Sequence, residues 1–268
     1  MTEAHPQPSP EGVPGAVTDP SRILAGDLVY PGAGGEDVKG YLARPAEEAA
    51  RAGMIVIHHA GGVDEHIRDV VNRFANIGYN TIAPDLYTRE GGPPPAGDWD
   101  AIFARLFAMP DERVLGDLAG AAGLLRARED STGKVGCIGF CMGGRLCLLF
   151  ATSREELDVA VDCWGGFIDR ATPEQLHTGE RPATPLELAP RLSCPLYAAF
   201  GEEDQNPSPE LAGQLADSAA KSGHEVLAEV YEGAGHAFFA DYRPSYRPQA
   251  AQRLWEHFVP FLDRYLRA

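Results

Sequence analysis

The sequence lacks the marks of membrane proteins and of nucleic-acid-binding proteins. No stretch approaches the roughly 18 apolar residues of a membrane-spanning helix, and residues 1–25 contain five prolines but no apolar signal-peptide run. Lysine and arginine total 23 against 39 acidic residues, so the net charge is −16. A charge of this sign opposes binding to nucleic acid and to acidic lipid surfaces. We therefore expect no nucleic-acid partner and no membrane association.

Cysteine is scarce and odd in number, with five residues at positions 137, 141, 147, 163 and 194. Their spacing matches neither a zinc site nor a disulfide framework, which predicts a reducing, cytoplasmic location. His58 and His59 are adjacent on a predicted strand and point to opposite faces, so no shared metal site is expected there. Gly32–Gly35 is too short for a dinucleotide fingerprint, and no phosphate-binding P-loop is present. The sequence thus predicts neither a metal nor an organic cofactor.

Short apolar runs bounded by glycine, proline or charged residues recur along the chain and predict eight strands. From the third run onward they alternate with helical patterns, such as the spacing Ile67, Val70, Val71 and Phe74. This alternation predicts a mostly parallel eight-stranded sheet with helices on both faces. We expect a disordered proline-rich tail over residues 1–25 and a single domain over residues 26–268. The predicted strands are Asp27–Tyr30, Val38–Arg44, Met54–His58, Asn80–Ala83, Val135–Gly139, Val159–Trp164, Leu196–Gly201 and Val226–Tyr231.

Two segments interrupt the alternation. Glu90–Gly97 has the composition of a loop and leads into Asp98–Met109, where Trp99, Phe103 and Phe107 have helical spacing. This helix could cover a pocket, or its aromatic residues could pack on the core, and spacing does not separate the two. Residues 165–192 form a second polar excursion between strands.

Cys141 occupies the centre of a Gly-x-Cys-x-Gly-Gly turn between a predicted strand and a predicted helix. Gly139 and Gly143 relieve crowding in such a sharp turn, which would lift the thiol above the carboxyl edge of the sheet. A thiol nucleophile needs a base, and the base needs an acceptor that orients it. His236 and Asp204 each follow a later predicted strand. The order Cys141, Asp204, His236 is the order of nucleophile, acid and histidine in α/β-hydrolases.

The motifs around these three residues, together with Pro84–Arg89, resemble the dienelactone hydrolase family over roughly residues 26–266. The resemblance implies an α/β-hydrolase fold and cofactor-free cleavage of a small, anionic ester or lactone through a thioacyl intermediate. It makes Cys141 the nucleophile, His236 the base and Asp204 its orienter, and it makes Arg89 an anchor for a substrate carboxylate. Backbone N–H groups of Met142 and Ala60 would form the oxyanion hole. Trp164, at a strand end, is a further candidate for substrate binding.

Two positions depart from the family pattern. His59 stands where the family has a glutamate that pairs with the thiol, and we predict that His59 stabilises the thiolate or contacts a substrate anion. Ala240 stands where the family has a second arginine, and Arg243 is the nearby substitute. Acyl transfer, lyase or isomerase chemistry and a non-catalytic binding protein remain alternatives on this scaffold. The substrate and the oligomeric state are left open by the sequence.

Overall fold

One mixed sheet of eight strands forms the centre of the molecule, with the order β1-β2-β4-β3-β5-β6-β7-β8. The computed structural model describes residues 4–174 and 176–267. β1 and β2 are antiparallel to their neighbours, while the strands from β4 to β8 run parallel. The strands are β1 (Ile23–Pro31), β2 (Asp37–Pro45), β3 (Arg51–Ile57), β4 (Asn80–Pro84), β5 (Ser131–Phe140), β6 (Val159–Cys163), β7 (Leu196–Gly201) and β8 (Val226–Tyr231).

Helices cover both faces of this sheet. The helices are α1 (Glu65–Asn76), α2 (Trp99–Ala108), α3 (Asp111–Arg126), α4 (Met142–Ser153), α5 (Pro185–Leu188), α6 (Glu210–Ala219) and α7 (Pro248–Leu266). α1 and α7 share one apolar core, and α3, α4 and α6 share the other. Strands β4, β6 and β7 are buried along their whole length, as expected for parallel strands covered on both sides. The predicted fold class is confirmed.

The helix predicted from the spacing of Ile67 to Phe74 is α1. The side chain of Asp64 accepts a hydrogen bond from the Ile67 N–H at 2.9 Å and caps this helix. Ile67 and Phe74 are fully buried, so one face of α1 lies against the sheet. No helix in residues 4–174 and 176–267 combines the length and apolar character needed to cross a membrane.

Residues 4–22, for which the composition predicts a disordered tail, instead lie against the domain. Ala4 pairs with Ala25 in β1, and Val17 is fully buried in the core beneath α1 and α7. Gly15 approaches the Trp255 ring so closely that a Cβ atom would lie 2.2 Å from it. Proline richness concealed these contacts because Val13 and Val17 are isolated apolar residues and form no periodic pattern. β1 accordingly begins at Ile23, earlier than predicted.

Candidate active site

Cys141 lies at a sharp turn between β5 and α4, with backbone angles φ 56° and ψ −114°. Its N–H donates to the Cys163 carbonyl at 3.0 Å, which ties the turn to the end of β6. Glycine is required on both sides: a Cβ on Gly139 would lie 1.9 Å from the Gly143 oxygen, and one on Gly143 would lie 2.1 Å from the Ile57 oxygen. The predicted strand-to-helix elbow is present, and the Cys141 side chain enters a cavity at the carboxyl edge of the sheet.

Asp204 and His236, from the loops after β7 and β8, meet at this elbow. His236 Nδ1–H donates to Asp204 Oδ2 at 2.8 Å, and the Asp204 side chain is only 3% exposed. This bond leaves Nε2 of the imidazole for Cys141, which lies close enough to His236 for the two groups to shift each other's pKa. The structure thus brings together the three residues that the sequence placed in nucleophile, acid and histidine order.

The electrostatics of the pair favour a thiolate beside an imidazolium. Burial alone would raise the pKa of the Cys141 thiol, but the charge and hydrogen bond of His236, the Met142 N–H and the charge of Arg243 bring it below the ordinary cysteine value. Burial would lower the pKa of His236, yet the sulfur of Cys141 and the carboxylate of Asp204 raise it to about 10. Each group therefore stabilises the charged form of the other.

The backbone groups expected to form an oxyanion hole lie at the same place. Ala60 and Met142 both line the cavity beside Cys141, and the Met142 N–H points at the thiol sulfur. Tyr87 donates its hydroxyl hydrogen to the Ala60 carbonyl at 3.1 Å and holds the loop after β3 in position. Trp164 is buried in the cavity wall, as expected for a substrate-binding residue, with φ 46°. Its indole N–H has no hydrogen-bond partner within the described part of the chain.

Arg89 forms ion pairs with two carboxylates. Its guanidinium binds the Asp117 carboxylate through two hydrogen bonds of 2.7 and 3.0 Å and also pairs with Glu36, outside the cavity wall. Asp117 is almost fully buried on α3, so it competes effectively for this arginine. Arg89 therefore joins the loop after β4 to α3, and its role as a carboxylate anchor stays a prediction.

Arg243, unlike Arg89, lines the cavity. It lines the cavity close enough to Cys141 for its charge to lower the pKa of the thiol, and its Nε–H donates to the Tyr242 hydroxyl at 2.9 Å. In the sequence, the only indication that Arg243 lies near the thiol was its position shortly after His236. Phe167 and α2 also line the cavity. Of the three aromatic residues whose role the sequence left open, Trp99 and Phe103 line the cavity, whereas Phe107 packs against the core.

His59 lies in the cavity wall, but both ring nitrogens are engaged. Nδ1 accepts a hydrogen bond from the Gly61 N–H at 2.9 Å, and Nε2 is 3.0 Å from Asp64 Oδ2. Nδ1 therefore acts as an acceptor and Nε2 faces the Asp64 carboxylate, so the ring is held by its own loop and by the residue that caps α1. His236 and Arg243 are among the groups that lower the pKa of the Cys141 thiol, and the two roles predicted for His59 stay predictions.

Comparison with known proteins places this site in a family. The model of the dienelactone hydrolase family matches residues 38–266. The chain belongs to the dienelactone hydrolase family. The Escherichia coli K12 protein described as "Putative carboxymethylenebutenolidase" is 33% identical over 256 residues, which cover 92% of this chain and 90% of that protein. A Salmonella typhimurium protein of the same description is 31% identical and covers 99% of this chain and 98% of its own length.

Solved structures agree with this assignment. The crystal structure of a Klebsiella pneumoniae protein titled "Putative Dienelactone Hydrolase" has a TM-score of 0.83 at 31% identity and covers 91% of this chain and 99% of that one. The Pyrococcus horikoshii acylaminoacyl peptidase matches with a TM-score of 0.70 at 15% identity, and the match covers 42% of that longer chain, so it shows the shared fold alone. This member of the dienelactone hydrolase family is therefore a hydrolase with an α/β-hydrolase fold.

The source of the low thiol pKa can be tested by titration. We expect His236→Ala and Arg243→Gln to raise the apparent pKa of Cys141, because each removes a positive charge that favours the thiolate. His59→Gln should leave it unchanged, since the ring is engaged by Gly61 and Asp64 and is not among the groups that lower the thiol pKa. The ultraviolet absorbance of the thiolate is followed against pH, with Cys141→Ala supplying the background from the other cysteines. A larger rise in His59→Gln than in Arg243→Gln would contradict this assignment.

Proposed function

We propose that the protein cleaves a small, anionic carboxylic ester or lactone through the triad Cys141, His236 and Asp204, with a thioacyl intermediate. The observation that carries the proposal is the meeting of these three residues at one cavity, with the pKa of the thiol lowered and that of the imidazole raised. Such a pair supplies a nucleophile and a proton donor at the same time. The family relationship supports ester or lactone cleavage as the reaction.

Acylation begins with the Cys141 thiolate, which forms a bond to the carbonyl carbon of the substrate while the carbonyl π electrons move to oxygen. The N–H groups of Met142 and Ala60 would stabilise the resulting oxyanion. When the C=O bond reforms, the C–O bond to the leaving group breaks. The leaving oxygen takes the proton from Nε2 of His236, which gives an alcohol and a thioester on Cys141. In a lactone, that alcohol stays attached to the acyl group.

Deacylation reverses the proton transfer. With the thioester formed, His236 is neutral and can remove a proton from a water molecule that attacks the thioester carbonyl. Collapse of the second oxyanion breaks the C–S bond, releases the acid and restores the thiolate beside the imidazolium. Asp204 holds Nδ1–H throughout, so the imidazole keeps the orientation that both transfers need. This cycle uses only the thiol, the imidazole, backbone amides and water, which fits the expectation of a cofactor-free enzyme.

Arg243 supports the anionic character of the proposed substrate. It lies in the cavity wall on the same loop as His236, and the leaving oxygen must face His236 to receive its proton. A carboxylate on the leaving group would therefore be drawn toward Arg243.

We keep a cytoplasmic location as part of the proposal, because the five free cysteines fit a reducing compartment.

A burst assay tests the nucleophile. With p-nitrophenyl acetate we expect a rapid release of one nitrophenolate per active site, followed by slower turnover. Cys141→Ala should abolish the burst, and His236→Ala should slow acylation by about 100- to 10,000-fold because the proton donor and thiolate partner is lost. Cys194→Ala, which removes a buried thiol outside the cavity wall, serves as the matched control and should retain the burst. A burst that survives in Cys141→Ala would refute the proposed nucleophile.

The pH dependence of kcat/KM should show two limbs. Activity should rise as Cys141 ionises, at a pH below the ordinary cysteine range because its pKa is lowered. It should fall near pH 10, where His236 loses the proton that the leaving oxygen needs. The profile is measured with an ester stable to base, and His236→Gln should remove the alkaline limb. The absence of an alkaline limb, or an alkaline limb that persists in His236→Gln, would contradict the proposed proton donor.

Anion selectivity distinguishes the two arginines. The ratio of kcat/KM for acetoxyacetate to that for isobutyl acetate, its neutral isostere, should fall about tenfold or more in Arg243→Gln, since a charged hydrogen bond is lost. The ratio should stay at the wild-type value in Arg89→Gln, because Arg89 binds Asp117 and Glu36. Initial rates are followed by proton release. An equal fall of the ratio in both variants would show that the assignment of Arg243 is wrong.

A further inference from the structure

The cavity that contains Cys141 is much larger than a small lactone requires. Its volume is about 780 Å³, equivalent to about 26 water molecules at roughly 30 Å³ each. Pockets of this size hold ligands as large as a drug molecule. The reaction itself occupies only the region near Cys141, so the remaining volume is available for a larger part of the substrate.

The two ends of the cavity differ in chemistry. One end carries the polar side chains of His59, Asp64, His66, Tyr242 and Arg243. The other end is lined mainly by apolar side chains of α2 and of the loop after β6, and the buried guanidinium groups of Arg145 and Arg181 also line the cavity. Arg181 lies at this end, where it donates a hydrogen bond to the Leu106 carbonyl. The apolar side chains there are Trp99, Ile102, Phe103, Leu106 and Phe167. A substrate that fills both ends therefore combines an anionic part with an apolar part.

Aromatic rings on α2 form a continuous row, of which Trp99 and Phe103 line the cavity and Phe107 packs against the core. Trp99 and Phe103 have ring centroids 6.0 Å apart, and Phe103 stacks on Phe107 at 5.8 Å with an interplanar angle of 7°. The edge of Phe167 completes the wall, 6.4 Å from Phe103 at 80°. Trp99 is 59% exposed and Phe103 is 39% exposed, although both face the cavity. A flat apolar group bound against them would cover this exposed aromatic surface.

The apolar wall is linked by hydrogen bonds to the triad. Phe167 has φ 57° and donates its N–H to Asn206 Oδ1 at 2.9 Å. The N–H of Asn206 in turn donates to Asp204 Oδ1 at 3.0 Å. Asp204 thus orients His236 with one oxygen and helps to place Phe167 through the other. The position of the aromatic wall relative to the reacting atoms is therefore fixed by the same loop that builds the triad.

We propose that α2 and Phe167 form an acyl-binding subsite for an arylalkanoyl group, a phenyl ring joined to the reacting carbonyl by a short methylene chain. This inference rests on the proposed function. The leaving group lies toward His236 and Arg243, so the acyl group extends to the opposite, aromatic end of the cavity. A phenyl ring stacks on Trp99 and Phe103 with its edge toward Phe167, and the methylene chain spans the distance to Cys141.

Two esters with one leaving group test the subsite. The kcat/KM for (3-phenylpropanoyloxy)acetate should exceed that for acetoxyacetate by about 10- to 100-fold, because burial of a phenyl group favours the first. In Phe103→Ala and Trp99→Ala the ratio of the two values should fall toward one. Leu227→Ala, which shortens an exposed apolar side chain of β8 outside the cavity wall, is the matched control and should keep the wild-type ratio.

Binding without turnover separates this inference from the proposed reaction. Calorimetry with the Cys141→Ala protein should show tighter binding of the phenylpropanoyl ester than of acetoxyacetate, and Phe103→Ala introduced into that protein should remove the difference. Equal kcat/KM and equal affinity for the two esters would overturn the subsite, as would a preference that survives in both Phe103→Ala and Trp99→Ala. Cleavage of neither ester, with selective binding retained, would count against the proposed function and leave the subsite supported.

Discussion

The backbone of Cys141 has φ 56° and ψ −114°, a conformation that a residue with a side chain adopts only when its surroundings enforce it. The surrounding atoms leave no room for additional side chains. A Cβ on Gly139 would overlap the Gly143 carbonyl, and one on Gly144 would lie 2.3 Å from Asp162 Oδ1. β5, α4 and the end of β6 can approach this closely only through glycine. The thiol is consequently held at the sheet edge before any substrate is present, and the rest of the site is arranged around it.

Charge in the site is balanced by pairs whose members come from different parts of the chain. The Cys141 thiol lies beside the His236 imidazole, and each favours the charged form of the other. Asp204 is 32 residues away in sequence from the histidine to which it is hydrogen-bonded. Each charge costs desolvation energy, so each is stable only because the other is present. The same rule explains Arg89, because the buried Asp117 carboxylate requires a cation and takes this one away from the cavity. Charge pairing therefore decides which arginine remains free to face a substrate.

The features that depend on spacing within a few residues were predicted from the sequence. The features that depend on contacts between residues far apart in the chain were missed. Apolar periodicity located all eight strands, and the glycines around Cys141 located the elbow, because both constraints act within a few residues. The pairing of Arg89 with Asp117 was missed because Asp117 lies on a helix whose distance from β4 is set by the whole fold. The packing of residues 4–22 was missed for a similar reason: Val17 becomes an anchor only where α1 and α7 provide its pocket.

His59 stands where the family has a glutamate, and it makes different contacts from those expected of a carboxylate. A glutamate there would place a negative charge beside the thiol, whereas the imidazole bends back onto its own loop and accepts the Gly61 N–H. Asp64, which also caps α1, fixes the other ring nitrogen. The ring therefore braces the loop that presents the Ala60 amide to the cavity. With the negative charge gone from this side, the thiolate depends on His236 and Arg243, and both of these lie on the loop after β8. The groups that act on the thiol are thus concentrated on the loop after β8, whereas α2 contributes mainly apolar side chains to the opposite wall.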